Sequence, residues 1–114
     1  MTRHERWTVR LTKTAEEDFQ GIAAWTARHF GKAQARIYAE TLTAAITALT
    51  SGPDVPGVRA RDDIRKGVRV LHVARRGRKG RHFLLFRVGE DAIGRRIEVL
   101  RILHDAIDLP RHLP

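Results

Sequence analysis

Six histidines, at positions 4, 29, 72, 82, 104 and 112, are the side chains of this sequence best suited to move a proton near neutral pH. No pair has the His-Glu-x-x-His spacing with which a helix holds zinc, and cysteine is absent, so neither a metal nor a cofactor is expected. His104 directly follows an apolar run, Ile97 to Leu103, at a strand end where a general acid could be displayed. His82 stands beside Arg81 at the start of another such run and could meet an anionic partner. His72 falls inside a strand pattern, on the side of Val68 and Val70, and is expected to be a satisfied, partly buried imidazole. No Ser-His-Asp order, glycine-rich phosphate loop or cysteine nucleophile can be composed from these residues. Asp105 and Asp108 are expected to pair with Arg101 or Arg111 and to be structural, not an acid/base dyad.

Charge is the stronger chemical signal. Twenty-two Lys and Arg face thirteen Asp and Glu, for a net +9, and eighteen of the cations are Arg, whose planar fork grips carboxylate or phosphate through two parallel hydrogen bonds. Residues 1–58 hold seven basic and six acidic side chains, residues 59–114 fifteen and seven, so the excess belongs to the second half. Within it, Arg59, Arg61, Arg65, Lys66, Arg69, Arg75, Arg76, Arg78, Lys79 and Arg81 meet only Asp62 and Asp63. Clustered like charge opposes a compact state unless a partner uses it, which points to an anionic partner, nucleic acid or an acidic protein. Aromatic residues are only 6% of the chain and fall mostly in apolar patterns, which argues against a sheet that stacks exposed rings on RNA bases.

The elements that must position these groups follow from periodicity. At 114 residues the chain suits one domain, residues 1–114, with one core. The first residues lack the apolar run of a signal peptide, and no stretch approaches a membrane span, so a cytoplasmic protein without membrane contact is expected. Trp7, Val9 and Leu11 alternate with polar residues as in a half-buried strand. Thr14 and Glu17 read as a capping box opening a helix that runs to about His29, with Ala15, Phe19, Ile22, Ala23 and Phe30 close to one face and Trp25 one turn beyond Ile22. Gly31 ends it, and a second helix from Lys32 carries Ala35, Tyr38, Leu42, Ala45, Ile46 and Leu49 on one stripe until Gly52-Pro53. Residues 51–67 read as a loop. Val68 to Ala74, His82 to Val88 and Arg96 to Leu103 then form a three-stranded antiparallel meander, which the first strand joins beside a later one, and a short tail follows. The fold class expected is α+β, in the order β-α-α-β-β-β.

Trp7-Thr8-Val9-Arg10-Leu11-Thr12 with Ala15-Glu16, then Phe30-Gly31 with Gln34-Ala35 and Tyr38, and finally Val99 to Asp105 with Asp108 and Arg111-His112-Leu113 carry a resemblance that spans nearly the whole chain. In order, spacing and length the sequence resembles the ParE branch of the ParE/RelE toxins, plasmid stabilisation proteins of type II toxin–antitoxin systems. The resemblance implies a partner, a cognate acidic antitoxin of the ParD kind. In the RelE branch the domain cuts messenger RNA on the ribosome with arginines of the sheet and a C-terminal Tyr or His, which here would select His104, Arg101, Arg81 and His82. The sequence departs from that set: Asp105 stands where the RNase branch usually has Arg, and the only tyrosine, Tyr38, is on a helix. The ParE branch acts on DNA gyrase, so the resemblance implies a non-enzymatic gyrase inhibitor. Target or antitoxin contacts are expected at Arg59, Arg61, Arg65, Lys66, Arg69, Arg75, Arg78, Arg81 and Arg87, with charge-assisted antitoxin contacts at Arg61, Arg65, Arg81 and Arg87.

Overall fold

The computed structural model describes residues 6–91 and 94–106. Strand β1 (Thr8–Leu11) leads into α1 (Lys13–Phe30) and α2 (Lys32–Ala48), which ends in a 3-10 turn over Leu49–Ser51. Then come β2 (Arg59–Ala60), β3 (Val68–His72), β4 (His82–Asp91) and β5 (Gly94–His104). The sheet order is β1-β5-β4-β3-β2, with β1 parallel to β5 and every other pair antiparallel. The expected α+β class and the return of the first strand to the side of the last are both present. Within the stretch read as a loop, Arg59 and Ala60 pair with Val70 and Arg69 as a fifth, edge strand. None of the described helices is long and apolar enough to cross a membrane.

The helical hairpin covers one face of the sheet, where Ala15, Leu42, Ala45 and Leu49 meet Leu71, Val73, Leu84, Phe86, Ile97, Val99 and Ile102. The opposite face has its own cluster of Val68, Val70, Leu85 and Leu103, joined by Ile64, Phe83 and Leu100. Both faces of the central strands are therefore buried, which is why β3, β4 and β5 read as apolar runs more than as alternations.

The start of α1 corrects the sequence reading. Thr12, not Thr14, is the N-cap: its Oγ1 accepts the Ala15 N–H at 3.1 Å and donates to the Leu100 carbonyl at 3.0 Å, while its own N–H donates to Val99 at 3.0 Å. The β1–β5 pairing ends at Leu11 and Val99, where an irregularity opposite Leu85/Phe86 leaves Leu100 outside the β4–β5 register. The β5 edge groups beyond that point are satisfied by the helix. Asp18 accepts the Ile102 N–H at 2.9 Å, so α1 takes over where β1 stops. The far end of α1 differs as well, since Phe30 and Trp25 are 65% and 50% exposed instead of packed into the core.

Candidate functional site

An open cleft of about 980 Å³ lies between α1, α2 and the adjoining ends of β4 and β5. Ile22, Trp25, Phe30 and Ile102 supply an apolar wall, and Lys79 and Arg81 stand at the strand end. Trp25 stacks on His29 at 4.2 Å between ring centres and meets Phe30 edge-on at 5.8 Å, so the exposed rings form one patch at the turn of the helical hairpin.

The polar floor of the cleft is a connected chain. Gly80 brings the loop before β4 against Val73 and Tyr38, where a Cβ would collide with both side chains. The Arg81 N–H consequently donates to the Tyr38 hydroxyl at 3.0 Å, and that hydroxyl lies 2.6 Å from His82 Nδ1. Burial raises the Tyr38 pKa, and burial followed by the nearby His104 lowers that of His82 to about 4. Both groups are thus neutral at neutral pH, and one short hydrogen bond joins them. His104 faces His82 directly across the β4–β5 pair, ring centres 5.3 Å apart and edge-on, and its Nδ1 accepts the Ala106 N–H at 3.1 Å.

Each arginine of the cleft is engaged by a carboxylate. Arg81 forks onto Asp105 at 2.8 to 3.1 Å, and His72 Nε2 reaches the same carboxylate at 3.0 Å. The Arg81 hydrogen bond, then that of His72, holds the Asp105 pKa well below the usual carboxylate range. Asp105 therefore pairs with Arg81 and His72, not with Arg101 as its sequence position suggested; Asp108 and Arg111 lie outside the described residues. Arg101 is held by Asp18 at 2.8 and 3.1 Å, with side chains only 20% and 15% exposed. His72 has the satisfied, partly buried environment read from its strand position.

His104, Arg101, Arg81 and His82 thus share one cleft, whereas the basic residues expected to meet a target fall in four places. Arg59, Arg61, Arg65 and Lys66 lie along β2 and the loop before β3, where Arg61 pairs with Asp63 at 2.9 Å. Arg69, in β3, reaches Asp54 at 2.8 Å and the Pro53 carbonyl at 3.0 Å. Arg75, Arg78 and Arg81 belong to the connection between β3 and β4, and Arg87 pairs with Glu98 across β4 and β5 at 2.9 Å. Arg59, Lys66, Arg75, Arg76, Arg78 and Lys79 have no carboxylate partner among the described residues.

Two residues that build the cleft fall outside the sequence reading of the site. Tyr38 was set aside as a helical residue, and nothing local reveals the glycine-enabled approach that brings it to His82. Asp18 did leave a signal: a carboxylate between Ala15 and Ile22 on the inward side of α1 requires a partner there.

The architecture, a helical hairpin on a sheet whose first strand runs parallel to its last, is that of the RelE/ParE-like α+β fold. The family model for the ParE toxin of type II toxin–antitoxin systems, parDE, matches residues 9–109, and the chain belongs to that family. It is similar to Toxin ParE1 of Caulobacter vibrioides, at 29% identity over 104 residues, 91% of this chain and 95% of that protein. Its fold is similar to a structure of the chromosomal ParDE toxin–antitoxin system from P. aeruginosa, with a TM-score of 0.70 at 22% identity over 90% of this chain and 98% of the other. The toxin–antitoxin complex RelBE2 from Mycobacterium tuberculosis is also similar, with a TM-score of 0.56 at 25% identity over 94% of this chain and all of the other.

Proposed function

We propose that this family member acts in the cytoplasm as a binding-type inhibitor of DNA gyrase, and that an acidic ParD-like antitoxin silences it by occupying the cleft. The observation that carries this reading is the engagement of Arg81 and Arg101 by Asp105 and Asp18. Cleavage of a phosphodiester needs cations to stabilise the charge that develops on phosphorus oxygens, and these two are already neutralised. His82, neutral at neutral pH, adds no positive charge.

The cleft instead has the features of a docking groove. Trp25 and Phe30 offer aromatic anchors at one end, and Lys79, which has no carboxylate partner among the described residues, offers a cation at the other, which suits an amphipathic segment ending in a carboxylate. Two of the structural relatives are toxin–antitoxin assemblies, which supports such a partner here. A short neighbouring reading frame encoding an acidic tail is the corresponding genetic expectation.

The test measures two activities of one preparation. Inhibition of gyrase supercoiling with messenger RNA left intact is the expected result; intact supercoiling in every preparation removes the gyrase reading. A second reading, a ribosome-dependent messenger RNA endonuclease, draws support from the meeting of His82, His104, Arg81 and Arg101 in one cleft. It requires ribosome-dependent cleavage that disappears in His104→Ala.

A further inference from the structure

The connection between β3 and β4 carries five cations, Arg75, Arg76, Arg78, Lys79 and Arg81, of which, among the described residues, only Arg81 is held by a carboxylate, and its turn is strained. Arg76 has φ +51° and Gly77 φ +81°, and the Arg78 N–H closes onto the Arg75 carbonyl at 2.9 Å. Two successive positive φ values are the pattern of a type I′ turn, whose first central position favours Asn, Asp or Gly. Among the described residues Arg76 is the one non-glycine with positive φ. A long cation thus occupies a site where Asn or Gly would sit with less strain, and such outliers gather where function needs them.

The neighbouring arginines are positioned without being neutralised. Arg75 gives one N–H to the Pro56 carbonyl at 3.2 Å, and Arg78 gives one to Thr41 Oγ1 at 3.5 Å. A guanidinium has five donors, so most of those on each side chain remain for a ligand. Arg76 and Lys79, both exposed, make no side-chain hydrogen bond or ion pair among the described residues.

From this placement we infer that the arm formed by residues 74–78 is a contact for the phosphate backbone of duplex DNA, separate from the cleft that Lys79 and Arg81 line beside it. The tip has no apolar side chain larger than Ala74. A protein interface sets its arginine hot spots among desolvated aromatic side chains, and the tip has none of these, so it suits a protein partner poorly. It has no ring on which a single-stranded base could stack. Guanidinium forks presented on the turn that joins two antiparallel strands match a duplex, whose phosphates accept paired N–H donors. Because the contact is made to phosphates it is independent of sequence, and it does not require gyrase to be the toxin's target.

The purified full chain is titrated with a fluorescein-labelled duplex of about 20 base pairs at salt concentrations from about 50 to about 200 mM. Replacing Arg75, Arg76 and Arg78 by Ala is expected to weaken binding more than about 10-fold and to flatten the log–log salt slope by about three, one per lost phosphate contact. These three residues lie outside the cleft, so the gyrase and antitoxin assays report on it separately. The control replaces Arg28, Lys32 and Arg36 by Ala, which removes the same charge from exposed helical positions and is expected to change affinity less than about 2-fold. Arg76→Asn relieves the strained turn while deleting one cation, so its loss of affinity is free of any folding defect. An arm triple variant that binds like the parent, or a helical triple variant that loses as much, overturns the proposal. So does tighter binding of a single strand of the same length, or displacement of the duplex by poly-glutamate at equal charge, which would give the arm to an acidic protein.

Discussion

His82 pairs with Tyr38 from α2, faces His104 from β5 and lies near Arg81 and Asp105, and its pKa of about 4 compares with 6.5 for a free imidazole. Between those values the unfolded chain holds a proton on this ring that the folded protein does not. The unfolded state therefore binds more protons, and stability must fall as pH drops through that window. Discounted for the partial exposure of the ring, the expected loss is about 2 kcal/mol between about pH 7 and about pH 4.5. Asp105 acts in the next window down: its folded pKa lies below 3.8, so its contribution is present above that value and is lost as pH falls further. Urea unfolding at a series of pH values checks this, with His82→Gln expected to flatten the upper window only. If that variant loses stability as steeply as the parent, another group is responsible. His82 was visible in the sequence; its protonation was not, because it follows from burial in the folded protein and from His104, which only the β4–β5 pairing brings opposite it.

The junction of β1 and α1 is the element on which the cleft depends. Thr12 closes the helix start and caps the β5 edge in the same few atoms, and Asp18 then fixes Arg101 and Ile102. Thr12→Ala is expected to cost about 1–2 kcal/mol, through both the lost cap and the stranded carbonyl of Leu100. Thr14→Ala, on the exposed side of the first turn, is expected to cost less than about 0.5 kcal/mol. Equilibrium denaturation of the two variants decides, and a larger cost at Thr14 would refute the assigned cap. Thr12 and Thr14 are equivalent caps by residue type. The choice is made by where parallel pairing with β5 runs out, which no local pattern records.

Across the whole molecule, the helical hairpin leaves two aromatic rings in solvent at one end of a groove while cations occupy the other. Exposed rings cost the isolated protein solubility, and a partner that covers them recovers that apolar area. Trp25→Ala combined with Phe30→Ala is expected to weaken antitoxin binding by more than about 30-fold while changing the unfolding free energy by less than about 1 kcal/mol. Calorimetric titration with a ParD-like antitoxin measures the first, and thermal unfolding the second. Unchanged affinity would place the antitoxin elsewhere. The sequence reading put these rings near the core face because Phe30 lies almost in phase with Ala15 and Ile22. Helical phase shows which residues share a face; only the length of sheet beneath the helix shows how far along that face remains covered.

Periodicity and charge alone determined the element order, the two-helix hairpin, the apolar strands and the concentration of arginine after residue 59, because each depends on neighbours within one or two turns of chain. The β1–β5 pairing, the capture of Arg101 by Asp18 across 83 residues and the Tyr38–His82 contact were decided by the closed sheet and its helical cover. Every arginine can pair with any carboxylate it can reach, so composition cannot say which cations are neutralised inside the fold and which remain for a partner. That selection is geometric, and it divides the arginines held by carboxylates in the cleft from those with no carboxylate partner among the described residues along the arm.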